Sequence, residues 1–207
     1  MGRYRGPKNK IARRFGVNLG LKINPAKVAR RLSQPPGAHG QKKRPGAVSN
    51  FGKQLLEKQK AKYIYGLREK QLRRYMQIAR RKAGDSGVTL LEMLEMRFDN
   101  VVFRLGFATT RAQARQMVNH GMFLLNGKRM DIPSHIVAVG DAVTIKDTKK
   151  KKKLFEGIEA KYPAFQLPSW LSFDAGMLAG KVLHRPAPQD VEQSFDVKKI
   201  IEYYSTR

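Results

Sequence analysis

The chain has 207 residues, of which 41% are hydrophobic, and a net charge of +26. That is enough apolar material for a packed core, so wholesale disorder is excluded, and no apolar run approaches the roughly 18 residues of a membrane span. Cysteine is absent, which excludes disulfides, thiolate metal sites and cysteine nucleophiles. The start, Met1-Gly-Arg-Tyr-Arg-Gly-Pro-Lys8, lacks the apolar stretch of a secretory signal, so a soluble intracellular protein is expected.

The charge is uneven. Met1 to Lys82 holds 24 Lys/Arg against two acids, Glu57 and Glu69, whereas Ala83 to Arg207 holds 18 against 14. An excess of this size opposes compaction and points to a polyanionic partner. A membrane-surface protein would instead favour one strongly amphipathic helix. Residues 1–48 are basic and rich in glycine and proline, and read as an extended arm that orders on phosphate backbones. Its candidate RNA contacts are Arg3, Tyr4, Arg5, Lys8, Lys10, Arg13 and Arg14. A short helix is expected around Ala26 to Leu32, and Gln34 to Gly46 reads as loop.

Ser49 or Asn50 can cap a helix running to Tyr65, with Gly66 after it. A second helix is predicted over about Arg68 to Ala83, ended by Gly84. Leu72, Tyr75, Met76 and Ala79 form its apolar stripe, and Arg73, Arg74, Arg80 and Arg81 lie largely off it. A charged helix face is most often only solvated. The near absence of interleaved acids favours phosphate contact here, with Lys58, Lys60, Arg73 and Arg74 as candidates.

Thr89-Leu-Leu-Glu92 reads as a capping box opening a helical stretch, with Leu90, Leu94, Phe98, Val101 and Leu105 at helical spacing up to Gly106. Thr110-Arg-Ala-Gln113 is a second box, whose helix ends at His120-Gly121. Met122–Leu125, Asn126-Gly127 and Lys128–Met130 read as strand, type I′ turn and return strand. Ile136–Val139, Gly140-Asp141 and Ala142–Lys146 are predicted to repeat that arrangement. Lys149 to Lys153 marks a solvated junction, and Pro168-Ser-Trp-Leu-Ser172 anchors the only tryptophan. Val197, Ile200, Ile201 and Tyr204 predict a terminal helix that packs on the helices of residues 50–84. The expected fold class is α+β: the arm (1–48), an all-helical domain (49–88, completed by 155–207) and a small RNA-binding module (89–148) of helices on a short antiparallel sheet.

Within that module Arg111, Arg115 and Asn119 are spaced four apart and share a helix face, with Ala114, Met117 and Val118 turned to the core. His120 ends the helix, Lys128 and Arg129 follow the hairpin turn, and Thr110 heads an N-terminus with free amides. Guanidinium groups beside a basic hairpin suit the phosphates and shallow minor groove of folded RNA.

Arg97-Phe-Asp-Asn-Val-Val-Phe-Arg-Leu-Gly-Phe-Ala108, Ala112-Gln-Ala-Arg-Gln-Met-Val-Asn-His-Gly121 and Asn126-Gly-Lys-Arg129 resemble the RNA-binding module of the small-subunit ribosomal protein four family. The likeness continues through Arg3-Tyr-Arg-Gly-Pro7, Pro36-Gly-Ala-His-Gly40, Glu57-Lys-Gln-Lys60, Tyr65-Gly66, Pro168–Ser172 and Ile201-Glu-Tyr-Tyr-Ser205. The resemblance implies a primary binder of 16S rRNA that nucleates the body of the 30S subunit. It also implies contact with small-subunit protein five, a part in translational accuracy, and basic residues lining the channel through which mRNA enters. The matching loop residues are Lys42, Lys43 and Arg44. The module residues it implies for RNA are Arg97, Arg111, Arg115, Asn119, His120, Lys128 and Arg129. Some family members repress their own operon.

Many members bind zinc through cysteines that begin with a Cys-x-x-Cys pair in the arm. The matching positions here are Asn9 and Ala12, and His39, His120, His135 and His184 lack ligand spacing, so no metal or other cofactor is expected. An RNA-modifying enzyme carrying the same module would need a catalytic domain. Residues 150–207 are too short for one and residues 1–88 nearly acid-free. Of the carboxylates Glu92, Glu95 and Asp99, the first is assigned to the capping box and the last to orienting an arginine. A free-standing RNA chaperone would need neither the arm nor the Trp170 segment.

Overall fold

The computed structural model describes residues 4, 6–22, 24–37, 48–150, 152–155, 167–191 and 194–205. The chain divides into two compact units, residues 1–90 with 193–207 and residues 91–192.

The first unit is helical. α1 (Lys8–Phe15) buries Ile11 and Ala12 and is stopped by Gly16 at φ 65°. The Phe15 and Tyr4 rings both lie against Tyr63. α2 (Pro25–Ala29) is capped by Asn24, whose side chain accepts from the Lys27 amide. In α3 (Asn50–Ile64) the N-cap is Ser49, whose hydroxyl accepts from the Gly52 amide at 3.2 Å. α4 (Glu69–Arg81) buries Leu72, Met76 and Ala79, one face of a 3.6-residue period. The terminal helix, α9 (Val197–Ser205), turns Val197, Ile200, Tyr203 and Tyr204 inward and packs on α3 and α4, as its stripe predicts.

Glu69 ties these three helices together. One carboxylate oxygen accepts from Lys58 Nζ on α3 at 2.9 Å and from the Tyr204 hydroxyl on α9 at 2.8 Å. Burial pushes the Glu69 carboxyl up, but the bonds from Lys58 and Tyr204, with the charges of Lys58 and Lys62, hold it below its ordinary value. Burial and the neighbouring Glu69 carboxylate push the Tyr204 hydroxyl well above its ordinary value.

The second unit packs helices on an antiparallel sheet. α5 (Ser86–Glu95) leads into it, followed by α6 (Phe98–Arg104), α7 (Arg111–Asn119), β1 (Phe123–Leu125), β2 (Lys128–Arg129), β3 (Ala142–Ile145), α8 (Asp147–Lys150), β4 (Leu171–Asp174) and β5 (Ala179–Val182). The strand order is β2-β1-β3-β5-β4, with Phe123 opposite Ile145, Val143 opposite Gly180 and Leu171 opposite Val182. Phe98, Phe107, Phe123, Phe155 and the fully buried Trp170 share one core with Val101, Leu105 and Val118. Asn126 (φ 50°) and Gly127 (φ 76°) both take the left-handed conformation that a type I′ turn needs.

Five expectations are corrected. Residues 8–15 of the arm form a helix, because Ile11, Ala12 and Phe15 find apolar partners that the flanking glycines and prolines obscure. The stretch 90–105 is two helices. The helix ends in a turn at Met96 and the chain extends at Arg97, where Arg97 bridges Ile136 and the Val137 amide donates to the Met96 carbonyl at 2.8 Å. Thr89 is interior to α5 and its amide donates to the Asp85 carbonyl. Asp85 itself caps the start, accepting from the Gly87 amide at 2.6 Å. Residues 136–139 form no second hairpin. β3 pairs with β1 and with β5, so Leu171 to Val182 completes the sheet and only residues 193–207 group with the helices.

A candidate RNA-binding surface

The surface is built around α7. Thr110 caps it, its hydroxyl accepting from the Gln113 amide at 3.2 Å. The reciprocal half of the predicted box differs: Gln113 Oε1 accepts from Thr109, through its amide at 3.0 Å and its hydroxyl at 2.6 Å. Ala114, Met117 and Val118 face the core as the spacing requires.

At the N-terminal end of α7, four arginines surround two carboxylates. Arg97, fully buried, donates from Nε and Nη2 to the two oxygens of Asp99 at 3.0 and 2.7 Å. Arg115, also buried, comes within 3.7 Å of the same carboxylate. The buried Glu95 accepts from Arg104 at 2.9 and 3.1 Å and from Asn100 Nδ2 at 2.8 Å, with Arg111 at 4.0 Å. Arg111 donates from Nε to Asn100 Oδ1 at 2.7 Å and lies 4.5 Å over the Phe103 ring. Two acids cannot neutralise four guanidinium groups, so the cluster keeps a positive excess beneath this face.

Thus Arg111, Arg115 and Asn119 share a helix face, but that face is not a row of free cations. Arg115 and Arg97 point inward to Asp99, Arg111 is half-buried, and Asn119 is exposed. At the C-terminal end of α7, His120 is exposed and the Arg129 side chain lies against Gly121, with its Nε 2.8 Å from where a Cβ would stand. Lys128 and Arg129 are both exposed, and Arg129 also meets Asp131 at 3.2 Å. Arg129 is thereby brought beside the end of α7, where Asn119 and His120 are exposed, and Lys128 precedes it in β2. Asn119 lies about 12 Å along the helix from Arg111, at 1.5 Å per residue.

Among the helical candidates, Arg73 and Arg74 are exposed. Lys58 is not: it is 3% exposed, bonded to Glu69 and 4.4 Å over the Tyr203 ring. Lys60 pairs with Glu57 at 2.7 Å and is largely covered. In the arm, Lys10 and Arg14 are exposed and Lys8 is half-buried, while Arg13 donates to the carbonyls of Gln34 and Pro35. Tyr4 is exposed beside Tyr63. Arg3, Arg5, Lys42, Lys43 and Arg44 lie outside the described residues.

The zinc-pair positions do not fit a metal. Ala12 has no ligand atom and is buried, and α1 is held there by apolar packing instead. Among the described residues no helix is long and apolar enough to cross a membrane.

Glu95, Asn100 and Arg104 complete the cluster, and sequence reasoning does not assign them to it. The signal available is spacing: Asn100 and Arg104 lie four apart on α6.

Residues 3–95 match the family model described as the ribosomal protein S4/S9 N-terminal domain, and residues 96–143 match the S4 domain. The chain is 47% identical over 210 residues to the small ribosomal subunit protein uS4 of Herpetosiphon aurantiacus, covering 99% of this chain and all of that protein. It is 45% identical to uS4 of Persephonella marina and 44% identical to uS4 of a Sulfurihydrogenibium species, with the same coverage. Two adjoining family models and end-to-end identity at this level place the chain in the uS4 family of small-subunit ribosomal proteins.

Proposed function

We propose that the chain is a structural component of the small ribosomal subunit that binds 16S rRNA, with the α7–hairpin surface as its folded contact. Family membership supports a ribosomal structural protein rather than an enzyme. The observation that carries the surface is the placing of Arg129 beside the end of α7, where Asn119 and His120 are exposed, backed by four arginines on two carboxylates. The exposed side chains hold phosphate and the 2′-hydroxyl edge, while Arg97 and Arg115 keep α6 and α7 in place from below. The exposed Arg73 and Arg74, with the arm, add contacts that do not read sequence. Nucleation of the subunit body, contact with small-subunit protein five, the mRNA channel role of Lys42, Lys43 and Arg44, and a cytoplasmic ribosome belong to the same proposal.

The test is binding of full-length protein to 16S rRNA across a salt series. Lys128→Ala with Arg129→Ala should weaken binding and reduce the log–log salt slope by about 2, one for each phosphate no longer neutralised. An unchanged slope, or protein that stays off 30S particles, would refute the proposal.

A further inference from the structure

A pocket of about 400 Å³ opens beside the end of α7. Met117 and Met122 form its floor, 2% and 7% exposed, and Leu154 stands at its edge 47% exposed. Gln116 and His120 from α7 and Lys149 and Lys152 from the segment after β3 form the rim. Among the described residues no carboxylate lines it. Lys150, between the two rim lysines, is by contrast paired with Asp147 at 2.8 Å. The rim therefore offers amide, imidazole and ammonium groups around an apolar floor, and the volume lies within the range of about 300–1,000 Å³ typical of small-ligand pockets.

We propose that this pocket receives one unstacked nucleobase of the bound RNA, an inference that rests on the ribosomal RNA reading above. A flat π surface suits the two thioethers, which are polarisable and favour contact with aromatic rings. Leu154 closes over the base from the other side. The Gln116 amide both donates and accepts, which matches the mixed donor and acceptor edge of a base. Lys149 and Lys152 meet the flanking phosphates. RNA offers such extruded bases in loops and bulges, where sequence is read from the unpaired edges. The pocket adjoins His120, the residue next to the Gly121 against which Arg129 rests, so a strand held on the hairpin reaches it without a second docking event. Lys149 and Lys152, part of a five-lysine run expected from sequence as a solvated junction, thereby gain a ligand.

The experiment is base-specific chemical probing of the chain's small-subunit rRNA bound to full-length protein, with affinity measured across a salt series. Gln116→Ala with Leu154→Ala changes two side chains on the pocket's rim. It should expose one unpaired base in an otherwise unchanged footprint and weaken binding about 5- to 10-fold, the lower part of the range for losing a stacked base, at constant salt slope. Lys149→Ala with Lys152→Ala should instead flatten the slope by about 1.4, the value for two single-strand phosphates. An identical footprint for the Gln116/Leu154 variant overturns the proposal. So does a photo-crosslinker at Leu154 that, in assembled subunits, attaches to a protein side chain rather than to RNA. If wild-type protein leaves no footprint at all, the ribosomal RNA reading fails first and the pocket's role falls with it.

Discussion

Asp99 illustrates how one carboxylate can hold a surface it does not belong to. Its two oxygens take both arms of the Arg97 fork, and one of them, Oδ2, stands 3.7 Å from Arg115. Asp99→Asn removes the carboxylate charge facing a fully buried guanidinium, and breaking such a pair costs about 3–5 kcal/mol. Urea unfolding should show that loss, and a midpoint within error of wild type would contradict the buried pair. Glu69 makes a second prediction. Because its folded carboxyl is held below the ordinary value near 4.5, its contribution to stability is complete above that pH and disappears as pH falls through the lower folded value. Tyr204→Phe removes one of the bonds holding it there and should cost about 1 kcal/mol at neutral pH. The same variant should show a shallower loss of stability below pH 4.5, where the wild type falls more steeply. At this scale the sequence showed which residues carry charge but not which way they face. The Thr110 cap and the inward Ala114, Met117 and Val118 follow from spacing alone. The burial of Arg97 and Arg115 does not, because an arginine is covered only when tertiary packing brings a carboxylate beneath it.

At the level of elements, periodic segments were legible and interruptions were not. α3, α4, α7 and α9 stand close to where caps and apolar spacing put them. The break between α5 and α6 was hidden because Leu90, Leu94, Phe98 and Val101 keep a helical period straight through Arg97. β4 and β5 were also hidden: four residues each, they become strands by pairing with β3 and with each other rather than by local propensity. That pairing depends on Gly180, where an added Cβ would collide with the fully buried Leu105 side chain. Gly180→Ala should therefore destabilise the second unit by about 1–3 kcal/mol through overpacking. Pairing it with Leu105→Val should recover part of the loss, and thermal melts of the two variants would decide it. No recovery would place the strain in the strand backbone instead.

Over the whole molecule the governing quantity is the +26 net charge, with its excess crowded into the first 82 residues. Self-repulsion destabilises a compact state and salt screens it. The free protein should thus melt at a higher temperature in about 0.5 M than in about 0.05 M salt, opposite in sign to the salt dependence of its RNA binding. A melting temperature that falls with salt would argue that the ion pairs around Glu69 and Glu95 outweigh the repulsion.

The strand order has a consequence for how the chain is made. β3 sits between β1 and β5, yet β5 is translated more than thirty residues after it, and α9, which packs on α3, is translated later still. Synthesis adds about 5–20 residues per second, while small helical contacts close in far less time. During elongation, therefore, the sheet waits with one open edge and the helical unit waits without its last helix. A polypeptide cut short before residue 171 would present β3 paired to β1 on one side and open on the other, the kind of edge that recruits chaperones or other chains. Truncated products are thus marked as incomplete by their own exposed hydrogen-bonding groups, and only a chain carried through to α9 can satisfy both units.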